Sequence, residues 1–163
     1  ESMDDEVLRN MNKALTTKQI IDGVENTLAA GISPGLNMIF GNIGDNKKVL
    51  NKSVEFLLKY DDGAQLRTIK PVTPYPGSPL YDRAIEKGLI VDCEDFYENK
   101  HVNSDLLTVN FTELDDDEVL RCLYEANSSI LRNYFNKQFH SYDEQAKKLY
   151  FEKDARFRGF RQR

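Results

Sequence analysis

The chain has 163 residues, 40% of them hydrophobic and 30% charged, enough for one domain with a real core and unlike a disordered polyelectrolyte. Its net charge of -5 excludes a broad nucleic-acid footprint; Arg156, Arg158, Arg161 and Arg163 read as a solvated tail before they read as a basic patch. No apolar run is long enough to span a bilayer and no signal peptide opens the chain. The two cysteines, Cys93 and Cys122, sit in neither a disulfide framework nor a metal-ligand spacing, so a reducing, cytoplasmic setting is expected.

The predicted elements alternate between two periods. A helical pattern covers residues 4–13, and it starts so abruptly after Glu1-Ser2 that the start of a longer protein is expected to be missing. Thr17 is expected to cap a second helix whose apolar stripe is Ile20, Ile21, Val24 and Leu28, ended by Gly31. Residues 36–40 (Leu-Asn-Met-Ile-Phe) are a short apolar run of strand length that encloses Asn37. A turn over 41–46 ends on Asn46, which is expected to cap a helix carrying Val49, Leu50, Val54, Leu57 and Leu58 into a core. Asp61-Asp62-Gly63 breaks that helix, and residues 64–72 read as a second strand. Thr73-Pro74-Tyr75-Pro76-Gly77 is a stiff turn, because proline fixes φ and glycine permits φ > 0. Ser78 followed by Pro79 is an N-cap and first-turn proline, opening a helix that stops near Gly88.

Helices of this size between strands imply parallel pairing and an α/β fold. Two such strands cannot make a stable sheet alone, so the expectation is a segment of a (β/α) barrel over residues 1–90. Residues 91–163 read as a loop followed by a helical extension. Within it, Asp115 and Glu118 resemble a capping box, Val119, Leu123, Ala126, Ile130 and Tyr134 form one stripe, and residues 142–153 read as a separate last helix.

Three stretches, in matching order and spacing, resemble the radical S-adenosylmethionine (SAM) superfamily, especially its cobalamin-associated branch. Glu1-Ser2 with Val7-Leu8 and Met11-Asn12-Lys13 is similar to the family's segment after the fourth barrel strand. Gly31-Ile32 leading to Met38-Ile39-Phe40-Gly41 and Gly44-Asp45 resembles the fifth strand and its turn, although Asn42-Ile43 and Asp45 depart from the usual Leu-Pro and Glu. Thr73 to Tyr81 with Lys87-Gly88-Leu89-Ile90 resembles the ending of the sixth strand. The resemblance covers residues 1–90 and reaches to about Leu131.

It implies chemistry in which a [4Fe-4S] cluster reduces SAM to a 5′-deoxyadenosyl radical that abstracts hydrogen from a substrate. The C-x-x-x-C-x-x-C loop that holds the cluster is absent, and Cys93 and Cys122 do not replace it. The resemblance therefore implies that the isolated chain is inactive and that its partner is the missing N-terminal half of the barrel. The substrate is unspecified, and cobalamin is compatible with the branch.

Within the resemblance, Glu1 and Ser2 are placed against the ribose or methionine part of SAM; a loop residue and an N-cap is the competing reading. Asn37, Ile39 and Gly41 are placed along the strand that faces adenine, with glycine allowing close approach; an ordinary strand end competes. Arg67 is a candidate for the SAM carboxylate, although alternation alone leaves open which face of its strand lines the lumen. Val72, Thr73 and Pro74 at the strand end are candidates for adenine packing, against the reading of a stiff turn that positions the following helix. Two functional alternatives stand beside this one: a non-catalytic module that docks through the long helix and the aromatic tail (Tyr150, Phe151, Phe157, Phe160), and a fragment of another, phosphate-binding (β/α) barrel.

Overall fold

A computed structural model describes residues 1–157 and 159–160. Arg158, Arg161 and Arg163 of the basic tail lie outside the described residues; Arg156 is exposed and paired with Asp154 at 3.1 Å. The elements are α1 (Asp5–Asn10), α2 (Thr17–Ala29), β1 (Met38–Phe40), α3 (Lys47–Tyr60), β2 (Ile69–Pro71), α4 (Pro79–Glu86), α5 (Cys93–Asp95), a π-helical turn (Phe96–Lys100) and α6 (Asp116–Tyr150).

Local chemistry sets most of the helix starts. Asn46 caps α3 by accepting from the N–H groups of Lys48 and Val49. Ser78 caps α4, with Pro79 in its first turn. Thr16, not Thr17, caps α2. Gln19 stands three residues after Thr16, so its side chain reaches back to the Thr16 N–H and closes a capping box. At α6, Asp115 accepts from the Glu118 N–H at 2.8 Å, but the Glu118 carboxylate pairs with Lys47 across the fold, leaving half a box.

β1 and β2 pair in parallel, with Met38 opposite Ile69 and Phe40 opposite Pro71. The fold is thus a mixed α/β arrangement, mostly helical, with two short parallel strands. The predicted second strand over 64–72 shrinks to Ile69–Pro71, because the preceding residues turn to serve Arg67, described below. The predicted break before residue 142 does not occur either. No glycine or proline lies between Tyr134 and Tyr142, and α6 runs unbroken for 35 residues. The stretch after Ile90 contains α5 and the π-helical turn, packed through the fully buried Phe96.

Alternation divides the sheet. Met38, Phe40 and Ile69 face the helices and join Val24, Leu50, Phe56, Leu57, Val119, Leu123, Ala126 and Ile130 in the main core. Each such side chain contributes ~1.5–3 kcal/mol on burial. Residues on both sides of position 90 therefore share one core. A second cluster joins Val72, Ala84 and Ile90 to Phe96, Val109 and Phe111. Ile39 and Lys70 sit on the opposite face, half-buried and exposed, where no helix covers the strands.

Candidate functional site

The uncovered face of the sheet opens into a cleft of about 580 Å³ bordered by Glu1, Asn37, Ile39, Thr68, Lys70, Thr73 and Tyr75. A second cleft of about 410 Å³ lies over the C-terminal ends of the strands. Glu1, Val72 and Thr73 border it, as do Asn42, Ser78, Lys13 and Arg83. Glu1 and Thr73 border both clefts. Glu1 is held by a carbonyl bond from the Ile39 N–H (2.9 Å) and by an ion pair with Lys13 (2.7 Å).

Gly41 ends β1 with φ 106°, a conformation that side chains strain to adopt, and a Cβ there would stand 3.4 Å from Val72 Cγ1. The turn after it is organised by Asp45. One carboxylate oxygen accepts from the N–H groups of Gly41 and Asn42, at 2.9 Å each. Burial raises the Asp45 pKa to about 6, assisted by the nearby charge of Asp4, while the two N–H donors and the Asn42 side chain work in the other direction. Among the described residues, Ser2 Oγ, Asn42 Nδ2 and Asp45 Oδ1 are buried in this part of the chain without a hydrogen bond of good geometry, the Asn42 amide standing near the Asp45 carboxylate.

The predicted site residues divide. Glu1, Asn37, Ile39 and Thr73 all border the larger cleft. Asn37 is not the buried amide inside a strand that its apolar neighbours suggest: it precedes β1 and is exposed, because the strand face it occupies has no helix over it. Ser2 and Pro74 are almost fully buried. Arg67 also borders the larger cleft, but its guanidinium is engaged within the fold. It shares the helix-facing alternation of Ile69, is 7% exposed, and sits before the N-terminal end of β2. Its guanidinium donates to the Pro34 carbonyl (2.8 Å) and to Asp62 (3.2 Å) and pairs with Asp61 (3.4 Å). Those bonds occupy it at the end of the strands opposite Gly41 and Thr73.

Several cleft residues were not site candidates in the sequence, Lys13, Arg83, Asn42, Lys70 and Tyr75 among them. The one signal for Arg83 was its place on the helix that Ser78 and Pro79 open. Asn127 also escaped. It stands beside the apolar stripe of α6, a place where a polar residue needs a reason, and its amide bonds the backbone of Ile69.

Cys93 is exposed and Cys122 is buried, where desolvation raises its thiol pKa. Among the described residues, no three His, Cys, Asp or Glu side chains converge as a metal-ligand group. Among the same residues, no helix is long and apolar enough to cross a membrane. Neither protein-family models nor curated protein sequences give a match to this chain.

Proposed function

We propose that this chain is the C-terminal portion of a radical SAM (β/α) barrel, and that the ends of β1 and β2 form the adenosine side of a SAM pocket. The observation that carries the reading is the junction of Gly41 and Val72. Two parallel strands end side by side, the first on a glycine at φ 106° that keeps its backbone bare, beside a cleft edged by Thr73. Sites in parallel α/β folds lie at this end of the strands. The three sequence stretches supply the choice of family.

The residues present fit part of the cofactor chemistry. Bare backbone at Gly41, an apolar wall at Val72 and the Asn42 amide at the cleft border suit a nucleoside, which is flat, apolar on its faces and polar at its edges. When bound, SAM supplies a sulfonium whose adenosyl group can be released as a radical. The chain's own residues bind and orient: Lys13 holds the Glu1 carboxylate at the cleft rim, and Asp45 fixes the Gly41–Asn42 backbone. An iron–sulfur cluster does not fit, because its thiolates must converge and these two cysteines are one exposed and one in the core. A cytoplasmic setting belongs to the same proposal.

The test is anaerobic calorimetric titration of SAM and of 5′-deoxyadenosine into the chain, with Gly41→Val and Arg67→Ala alongside. Saturable binding that Gly41→Val weakens at least tenfold, with Arg67→Ala retaining affinity, supports the reading. Equal affinity in wild type and Gly41→Val defeats the assignment of the pocket. A circular-dichroism melt of each variant separates lost binding from lost folding.

A further inference from the structure

Helix α6 is apolar on two sides. One stripe, Val119, Leu123, Ala126 and Ile130, is buried in the main core. Farther along, the same side of the helix is tied to the body by Asn133 and Lys137, which bond Asp61. Phe135 and Phe139 stand two residues to either side of Lys137, so at 100° per residue each lies about 160° round the axis from it. They belong to a second stripe: Tyr124, Leu131, Phe135, Phe139, Tyr142 and Leu149. With Ser128 and Ala146 filling its gaps, the members stand about 3.6 residues apart over roughly 38 Å of helix.

This second stripe faces away from the core. Tyr124 is 72% exposed, Phe135 58% and Phe139 65%. Aromatic rings carry about 150–250 Å² each, so these three leave about 400 Å² uncovered, enough to mark an interaction surface. The stripe already accepts aromatic side chains at its C-terminal end. Lys153, at φ 53°, lies in the turn after α6, and the Phe160 ring comes to 6.2 Å from Tyr142 and 4.9 Å from Phe157. That tail leaves Phe135 and Phe139 bare.

We infer that the occupant of this stripe is the same stripe on a second copy of the chain, in an antiparallel α6–α6 pair. The order of the residues carries the inference. A two-fold axis at the level of Lys137 puts Phe135 beside Phe139 of the second copy. Leu131 falls beside Tyr142 of that copy and Tyr124 beside its Leu149, while the small residues Ser128 and Ala146 meet each other. Exposed Arg132 arrives beside Asp143 of the second copy, which pairs with Lys147 through one oxygen and keeps the other. A parallel pair would set Arg132 against Arg132 and Asp143 against Asp143, like charge on like. Two copies together bury roughly 800–1,000 Å², the low end for a specific interface, which suits a dimer of micromolar affinity. The inference uses no residue of either cleft and does not depend on SAM.

Sedimentation of the chain from about 1 µM to about 1 mM tests it. The weight-average mass is expected to double and to stop there. Phe135→Ser together with Phe139→Ser is expected to weaken the dimer at least tenfold. Arg132→Asp alone is expected to weaken it about three- to tenfold. Adding Asp143→Arg in the same chain is expected to restore it, because only the antiparallel pair brings those positions together. Each variant is also melted at the lowest concentration, where an unchanged Tm separates a lost interface from a lost fold. A monomer throughout the range overturns the inference. So does a dimer indifferent to loss of the two phenylalanines, or one whose weakening by Arg132→Asp is not repaired by Asp143→Arg.

Discussion

Two aspartates, Asp45 buried and Asp61 half-buried, stand at opposite ends of the strands, and the fold treats them differently. Asp61, at the N-terminal end, is surrounded by donors: Arg67, Lys137 at 3.4 Å, the Asn133 amide at 2.6 Å and the Gly63 N–H at 2.9 Å. Asp45, at the C-terminal end, has two backbone N–H donors on one oxygen, no hydrogen bond on the other, and no ion pair among the described residues. The first arrangement ties α3, the turn before β2 and α6 together. The second leaves polar capacity unused in a protein where buried polar atoms are normally satisfied. Polar partners gather at one end of the sheet, and buried side-chain atoms without a hydrogen bond at the other.

The largest expected effect breaks the first end. Arg67→Ala removes the cation from a network in which Asp61 is mostly buried, and is expected to cost about 3–5 kcal/mol in urea unfolding. A loss below 1 kcal/mol would mean that Asn133 and Lys137 hold Asp61 unaided.

The second test sharpens the contrast through pH. The Asp45 pKa is about 6 in the fold against an ordinary 3.8. Its contribution to stability is therefore fully present below about pH 4 and is lost as pH rises through about 6. A carboxyl group raised that far corresponds to about 3 kcal/mol as an upper bound. Asp45→Asn keeps an acceptor oxygen for Gly41 and Asn42 without the charge. Measured from pH 4 to 7, the wild type is expected to lose stability relative to Asp45→Asn; a flat difference would show that the carboxylate is not destabilised by burial.

A smaller effect is expected at the closed edge. Asn127→Ala strips both bonds from Ile69 and is expected to cost about 1–2 kcal/mol, with faster exchange of the Ile69 amide. Smallest of all is Phe139→Ser on the outer surface of α6. Phe139 is 65% exposed, and the unfolding free energy of the chain is expected to move by less than about 0.5 kcal/mol.

Local features were legible in the sequence because their chemistry is local. Asn46, Ser78-Pro79 and Asp115 each cap a helix with N–H groups two or three residues away. The parallel pairing was legible from the helix between the strands. Four features were not, because each depends on residues far apart in the chain. Asn127 meets Ile69 across 58 positions, and Lys137 meets Asp61 across 76. The role of Arg67 turned on which strand face the helices cover, which alternation by itself does not decide. The exposure of Asn37 has the same cause: an apolar run looks alike whether one face is covered or two. At the candidate site, Glu1, Ile39 and Thr73 were named from the resemblance, whereas Lys13 and Arg83 reach the cleft only once α1 and α4 are folded beside the strands.

The closed edge of β2 also bears on self-association. Fibrils grow because every added chain presents a fresh edge like the one it covered. Here Asn127 and Pro71 guard the outer edge of β2, and on β1 the Ile39 and Gly41 N–H groups are already taken by Glu1 and Asp45. A growing fibril finds no run of free strand backbone to copy at either border of this short sheet among the described residues.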